Sequence, residues 1–256
     1  MVDGITAFRN YFNAYTDNYI IIGGTACDIV ISSAGLTARA TRDIDIILVV
    51  EALTPEFVAQ FWLFVREAGY KKAEKSETDR KYYRFREPEN SDYPFQIELF
   101  SRVPDLLDVR PNSHLTAIPV DDKELSSLSA ILMNDDYYYY TLQHCSRESE
   151  LHRANIEALI CLKARAYLDM IKRKEQGENI DTKNIKKHKA DIFRLSALLT
   201  DNDNFELPPT IFDDLQYFIE LIKNDLPDST MIKSMGLQHV KPDTLFSQLK
   251  KCFKLD

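Results

Sequence analysis

Ile20-Ile21-Ile22-Gly23-Gly24-Thr25-Ala26-Cys27-Asp28-Ile29-Val30, then Arg39-Ala40-Thr41-Arg42-Asp43-Ile44-Asp45-Ile46-Ile47-Leu48-Val49-Val50, is the stretch on which the reading of this chain turns. An apolar run ends in a glycine pair, a helix-like segment follows, and a second apolar run opens with Asp-x-Asp. Side chains alternate between the faces of a strand, so Asp43 and Asp45 point one way while Ile44 and Ile46 point the other. Two carboxylates held side by side repel each other unless a cation sits between them. Mg²⁺ suits the position, because it takes oxygen ligands and accepts substrate phosphates in the rest of its shell. Gly23 and Gly24 permit positive φ and close backbone approach, and N–H groups at a helix start favour an anion. The stretch predicts a metal-dependent phosphate-transfer site.

A third carboxylate appears further along. In Tyr93-Pro94-Phe95-Gln96-Ile97-Glu98-Leu99-Phe100 the alternation puts Phe95, Ile97 and Leu99 on one face, with Gln96, Glu98 and Phe100 on the other. Glu98 is therefore a candidate third metal ligand, or a general base toward an acceptor hydroxyl. Arg39 and Arg42 flank the Asp-x-Asp. There they can meet developing phosphate charge or pair with the aspartates.

Periodicity supplies the frame. Ile5, Phe8, Phe12 and Tyr15 predict a helix before a strand at about Tyr19 to Ile22, with a short helix from Thr25 to Ser33 and a strand from Asp43 to Val50. Thr54-Pro55-Glu56 gives an N-cap, a proline in the first turn and an acidic start for a helix through about Ala68. Lys81 to Arg86 and Phe95 to Ser101 read as strands joined by the polar Pro88–Asp92 turn. This is an α/β (α+β) pattern with a mixed β-sheet and flanking helices. Beyond about residue 120 the stripes turn helical: Ile156, Leu159, Ile160, Lys163, Ala164, Tyr167, Leu168, Ile171; then Ile192, Leu195, Leu198, Leu199; then Ile211, Leu215, Phe218, Ile219, Ile222. Asn179 to Lys189 reads as a polar, lysine-rich connection. The expected organisation is a core over 1–120 and a helical domain over 121–256 that closes a cleft over the carboxylates. Lys163 falls on an otherwise apolar stripe, where an unpaired charge is costly. A buried phosphate or carboxylate partner is expected.

Bulk properties bound the rest. The 256 residues are 45% hydrophobic and 28% charged, an ordinary globular composition with ample core. No apolar run approaches the roughly 18 residues of a membrane span, and no basic-then-apolar leader opens the chain, so a cytoplasmic protein with no membrane partner is expected. Cys27, Cys145, Cys161 and Cys252 lack metal or disulfide spacing. The net charge of −8 argues against indiscriminate nucleic-acid binding, yet Lys163 to Arg194 holds ten Lys/Arg against five Asp/Glu. That basic stretch is a candidate phosphate-facing surface, with a solvated helix face and charged loop as the plainer alternative.

The Gly-Gly turn, the D-x-D strand and the later carboxylate resemble the nucleotidyltransferase superfamily of the polymerase-beta type, over roughly residues 18–101. G-G-T-A followed by R-A-T-R-D-I-D-I looks like the AbiEii/AbiGii-type nucleotidyltransferase toxins, and nearly as much like the antibiotic nucleotidyltransferases. The resemblance implies a nucleotidyltransferase-type sheet, Mg²⁺ at Asp43, Asp45 and Glu98, and an NTP whose triphosphate lies on Gly23 and Gly24 beside the small hydroxyl residue Thr25. Arg39, Thr41 and Asp43 match the family's R-x-S/T-x-D pattern. Ala158 to Ala166 resembles its L-x-x-L-K-x-x-A helix, in which Lys163 takes the place of a lysine that meets the triphosphate. Lys187 to Leu195 resembles its K-x-x-D-x-x-D-L motif, which gives Asp191 a part in catalysis; here Lys189 is followed by Ala190 and then Asp191. The implied activity is transfer of a nucleoside monophosphate from an NTP to an acceptor. For a toxin-like member the acceptor is RNA such as tRNA, with an antitoxin partner and Lys183, Lys186, Lys187 and Lys189 around the cleft mouth. The alternatives are a small hydroxylated acceptor of the aminoglycoside or lincosamide kind, and a catalytically silent nucleotide- or partner-binding module.

Overall fold

The structure, a computed structural model, describes residues 4–76, 81–101, 118–120, 131 and 134–256. Helix α1 (Ile5–Phe12) buries Ile5, Phe8 and Phe12 and passes into a 3₁₀ segment, Asn13–Asn18. The expected helix stops short of Tyr15, whose φ of −120° and ψ of 24° are not helical. Strand β1 (Tyr19–Ile22) is buried throughout, helix α2 (Gly23–Ser33) follows without a linker, and β2 (Asp43–Leu48) carries the Asp-x-Asp. Helix α3 (Pro55–Ala68) matches its expected bounds. Thr54 Oγ1 accepts from Phe57 N at 3.2 Å at its start, and Gly69 at φ 63° ends it. Next come β3 (Lys72–Ser76), β4 (Lys81–Arg86), β5 (Gln96–Ser101) and β6 (Ile118–Val120).

Helix α4 (Asp135–Gln143) carries four consecutive tyrosines, of which Tyr137, Tyr138 and Tyr140 are buried and Tyr139 is exposed. A hairpin of β7 (Cys145–Glu148) and β8 (Leu151–Ala154) follows. Then come α5 (Ile156–Glu175), α6 (Thr182–Ser196), α7 (Pro209–Ile222), α8 (Ser229–Ser234) and α9 (Pro242–Cys252). The connection expected at Asn179 to Lys189 is corrected here. Helix α6 starts at Thr182 under an Asp181 cap that accepts from Lys183 N at 2.8 Å. Its first two turns offer only Ile185 as an apolar core residue, with Lys189 at the next core position, so the helical period is masked by charge.

The described strands form one mixed sheet in the order β6-β3-β4-β5-β2-β1-β8-β7. β2 runs antiparallel to β1 and parallel to β5, and β8 adds parallel to β1. The sheet thus takes two strands from beyond residue 120. Phe8, Phe12, Tyr19, Phe57, Phe61 and Phe64 form an aromatic core, with Phe8 and Phe12 centroids 4.6 Å apart. Phe95 does not join the apolar face expected of it. It precedes β5 and is 45% exposed, whereas Ile97 and Leu99 are fully buried.

Candidate active site

The register of the sheet gathers the acidic residues. Asp43 pairs with Gln96 and Asp45 with Glu98 across the parallel β2–β5 ladder, so these four side chains share one face. Ile44, Ile97, Ile46 and Leu99 take the other face and are at most 1% exposed. Across β1, Ile22 pairs with Asp45, which sets the Gly23-Gly24 turn directly against that aspartate. Gly23 has φ +66°, and a Cβ on it would come within 1.8 Å of Asp45 Oδ2. A Cβ on Gly24 would lie 3.2 Å from Thr41 Oγ1 and 3.3 Å from Arg39 Nη2. Gly23 is thus required by contact as well as by backbone conformation, while Gly24 is closely packed by side chains.

A cavity of about 280 Å³ opens over this face. Its walls include Gly23, Gly24, Arg39, Asp43, Asp45 and Glu98 on the sheet side, and Lys163 of α5 with Lys187 and His188 of α6 on the helical side. Burial, together with the charges of Glu98 and Asp43, pushes the Asp45 carboxyl up to about 7 against the pull of Lys163. Asp43 is raised too, by burial opposed by Lys187 and Arg39.

The third carboxylate is differently placed. Glu98 Oε1 accepts from Arg84 Nε at 3.0 Å and from Gln96 Nε2 at 2.9 Å, so this carboxylate is already engaged by neighbours on its own sheet face. Among the described residues no three His, Cys, Asp or Glu side chains converge to hold a metal ion. Asp43 and Asp45 alone still fit Mg²⁺. They are hard oxygen donors crowded against each other, and Mg²⁺ needs only one or two carboxylates when water and phosphate complete its shell.

Opposite them, Lys163 has the buried partner its stripe demanded. Its Nζ donates to Asp191 Oδ2 at 2.9 Å, linking α5 to α6. Arg194 Nη1 donates to Asp191 Oδ1 at 3.0 Å, and Arg39 Nε lies 3.6 Å from the same oxygen. Burial alone would raise the Asp191 carboxyl, but Lys163, Arg39 and Arg194 outweigh it and hold it at about 2. Three cations surround this carboxylate, which thereby positions Lys163 and Arg39.

Two further residues lie outside the cavity wall. Thr25 is fully buried and its hydroxyl donates to the Asp43 carbonyl, which fastens α2 to β2. Arg42 is exposed, lies outside the cavity wall, and offers its carbonyl to Phe95 N at 3.1 Å. The lysines of α6 divide. Lys183, Lys186 and Lys187 are exposed, Lys187 also lining the cavity, and Lys189 is buried with Nζ donating to Asp225 Oδ2 at 2.6 Å. Sequence reading did not pick out His188 and Asn184 as cavity residues, because their segment read as a loop. The helical spacing Asn184–His188–Asp191 carries that signal.

No family model and no curated protein matches the chain. Among solved structures, it is similar to the polyadenylate synthase of Megavirus, with a TM-score of 0.38 and 13% identity over 86% of this chain and 36% of that one. The chain spans about a third of that protein's length. Among the described residues, no helix is long and apolar enough to cross a membrane.

Proposed function

We propose that this protein is a metal-dependent nucleotidyltransferase, which moves a nucleoside monophosphate from an NTP to an acceptor hydroxyl. The observation that carries the reading is the apposition of Gly23 to Asp45 Oδ2 in a cavity faced by Lys163 and Lys187. Asp43 and Asp45 would hold Mg²⁺, which when bound supplies positive charge to phosphate oxygens. Gly23 and Gly24 leave room for a phosphate to reach the N-terminus of α2. Lys163, Lys187 and Arg39 offset triphosphate charge, Asp191 keeping the first and third in place. Glu98, on the same face as the aspartates, would take the proton of the acceptor hydroxyl, its Oε1 meanwhile held by Arg84 and Gln96. The hydroxyl oxygen then bonds the α-phosphorus as the bond to pyrophosphate breaks.

For the acceptor, RNA is the leading reading, as in an AbiEii-like toxin. Exposed Lys183 and Lys186 lie on the same helix as Lys187 and extend its positive charge outward. The acidic wall of Asp43, Asp45 and Glu98 favours the second reading, a cationic hydroxylated small molecule. The test is incubation with each labelled NTP and Mg²⁺, with total RNA in one arm and an aminoglycoside in another. Label should enter an acceptor with the parent protein and not with Asp43→Asn. Absence of transfer from every NTP in both arms would sink the enzymatic reading.

A further inference from the structure

Helices α5 and α6 are antiparallel neighbours, joined at one level by Lys163–Asp191 at 2.9 Å and at another by Lys174 Nζ donating to Thr182 Oγ1 at 3.0 Å. Two cavity residues, Met170 and Asn184, each stand seven positions from that inner ion pair, toward the connection between the helices. Seven helical residues rise about 10 Å, so both reach the same level, well away from the charged end. The wall changes character along that distance. The inner end holds Asp43, Asp45 and Lys163. From the level of Lys163 outward, α5 shows the cavity Leu162, Ala166 and Met170, one stripe at four-residue spacing. Facing them on α6, Asn184 and His188 are one turn apart, with the cavity residue Lys187 between them.

His188 is held neutral by burial and by the charges of Lys163 and Lys187, with its pKa lowered to about 3. Its Nδ1 is buried and has no hydrogen-bond partner among the described residues. Beside Lys187, which faces the triphosphate, the outer cavity thus pairs an apolar wall with the uncharged edges of Asn184 and His188, an environment that suits a flat heteroaromatic ring.

We propose that this outer part is a nucleobase subsite. The base lies along Leu162, Ala166 and Met170, with His188 and the Asn184 amide reading its edge. The inference rests on the nucleotidyl-transfer reading for where the triphosphate lies. An Asn amide presents a donor and an acceptor together, so it can pair with two adjacent polar atoms on a base.

Titration calorimetry in Mg²⁺ with three probes tests it: inorganic tripolyphosphate, the four NTPs, and the four nucleosides. At least one NTP should bind more tightly than tripolyphosphate by about tenfold or more, a gap of roughly 1.4 kcal/mol. Asn184→Ala and Met170→Ala should each shrink that advantage and leave tripolyphosphate affinity unchanged; Asn184→Ala should also narrow the spread among bases. Asn184 is exposed and Met170 only partly buried, so both variants should fold, which melting curves check. The subsite is overturned if all four NTPs bind no tighter than tripolyphosphate, or if the advantage survives both substitutions. Nucleosides binding where tripolyphosphate does not would support the subsite and remove the transfer reading.

Discussion

Lys163 Nζ lies 2.9 Å from Asp191 Oδ2, with the two side chains 7% and 4% exposed, and this ion pair ties the cavity face of α5 to α6. Removing one partner of a buried pair strands the other charge. Asp191→Ala should therefore cost about 3–5 kcal/mol of stability. The double variant Lys163→Met/Asp191→Leu replaces both charges with apolar volume and should regain most of that loss while remaining unable to bind NTP tightly. Urea denaturation and nucleotide titration on the same samples separate the two effects. Equal stability of Asp191→Ala and the parent would mean that Lys163 finds other compensation.

Gly23 and Gly35 make a controlled comparison, since both have positive φ, +66° and +75°. A Cβ at Gly35 meets nothing within 4 Å, whereas at Gly23 it collides with the Asp45 carboxylate. Gly35→Ala should cost only backbone strain, on the order of 1–3 kcal/mol, with transfer retained. Gly23→Ala should add displacement of Asp45 and abolish transfer. Melting curves together with an NTP-transfer assay decide it, and comparable activity in the two variants would contradict the close approach.

The N-terminal frame was legible because its signals are local. Alternation in Asp43 to Leu48 fixed which face the aspartates share, and Thr54-Pro55 with Gly69 bounded α3. The β7–β8 hairpin escaped because Ser149 and Glu150 both take positive φ, 50° and 62°, without the glycine or asparagine that usually announces such a turn. Strand β3 escaped for want of alternation in its lysine- and glutamate-containing sequence. Asp43, Asp45, Gly23 and Lys163 could be read from type and spacing. The burial of Thr25, the outward placement of Arg42 and the capture of Glu98 by Arg84 depend on tertiary packing, which spacing does not encode. Lys189 was misplaced for the reason α6 was: a buried lysine looks polar until its partner, Asp225, is known.

The pH dependence follows from Asp45. Its carboxyl titrates near about 7 in the folded protein, because of burial and then Glu98, against an ordinary value of 3.8. Between those values the native state holds a proton that the unfolded chain has released, so stability falls as pH rises. The contribution is full below the ordinary value and lost as pH climbs through the folded one. In chelator at about pH 8, Asp45→Asn should melt higher than the parent, and the gap should close toward about pH 4. Mg²⁺ should raise the parent's melting temperature at the higher pH and act less at about pH 5.5, where protons compete for the ligand. Identical melting of parent and variant at every pH would show that Asp45 is not strained by its neighbours.

Lys187 and Lys189 are two residues apart on α6 and should behave oppositely. Lys187 lines the cavity, and burial with the charges of Arg39 and Lys163 lowers its pKa, so an incoming phosphate would relieve it. Loss of a charge-assisted contact worth roughly 1.5–3 kcal/mol should weaken NTP binding about ten- to a hundredfold in Lys187→Ala, with little change in melting. Lys189 instead donates to Asp225 O and Oδ2, both at 2.6 Å, and its side chain is 9% exposed. Lys189→Ala should leave NTP affinity intact and lower stability by about 1–3 kcal/mol, through the bonds lost between α6 and the turn that follows α7. Neutralising exposed Lys183 and Lys186 should do neither, and should flatten the salt dependence of RNA binding if RNA is the acceptor. NTP titration, melting curves and RNA binding across a salt series distinguish the three outcomes. Should Lys187→Ala bind NTP as the parent does, α6 does not face the triphosphate, and the cationic side of the site reduces to Lys163 and Arg39.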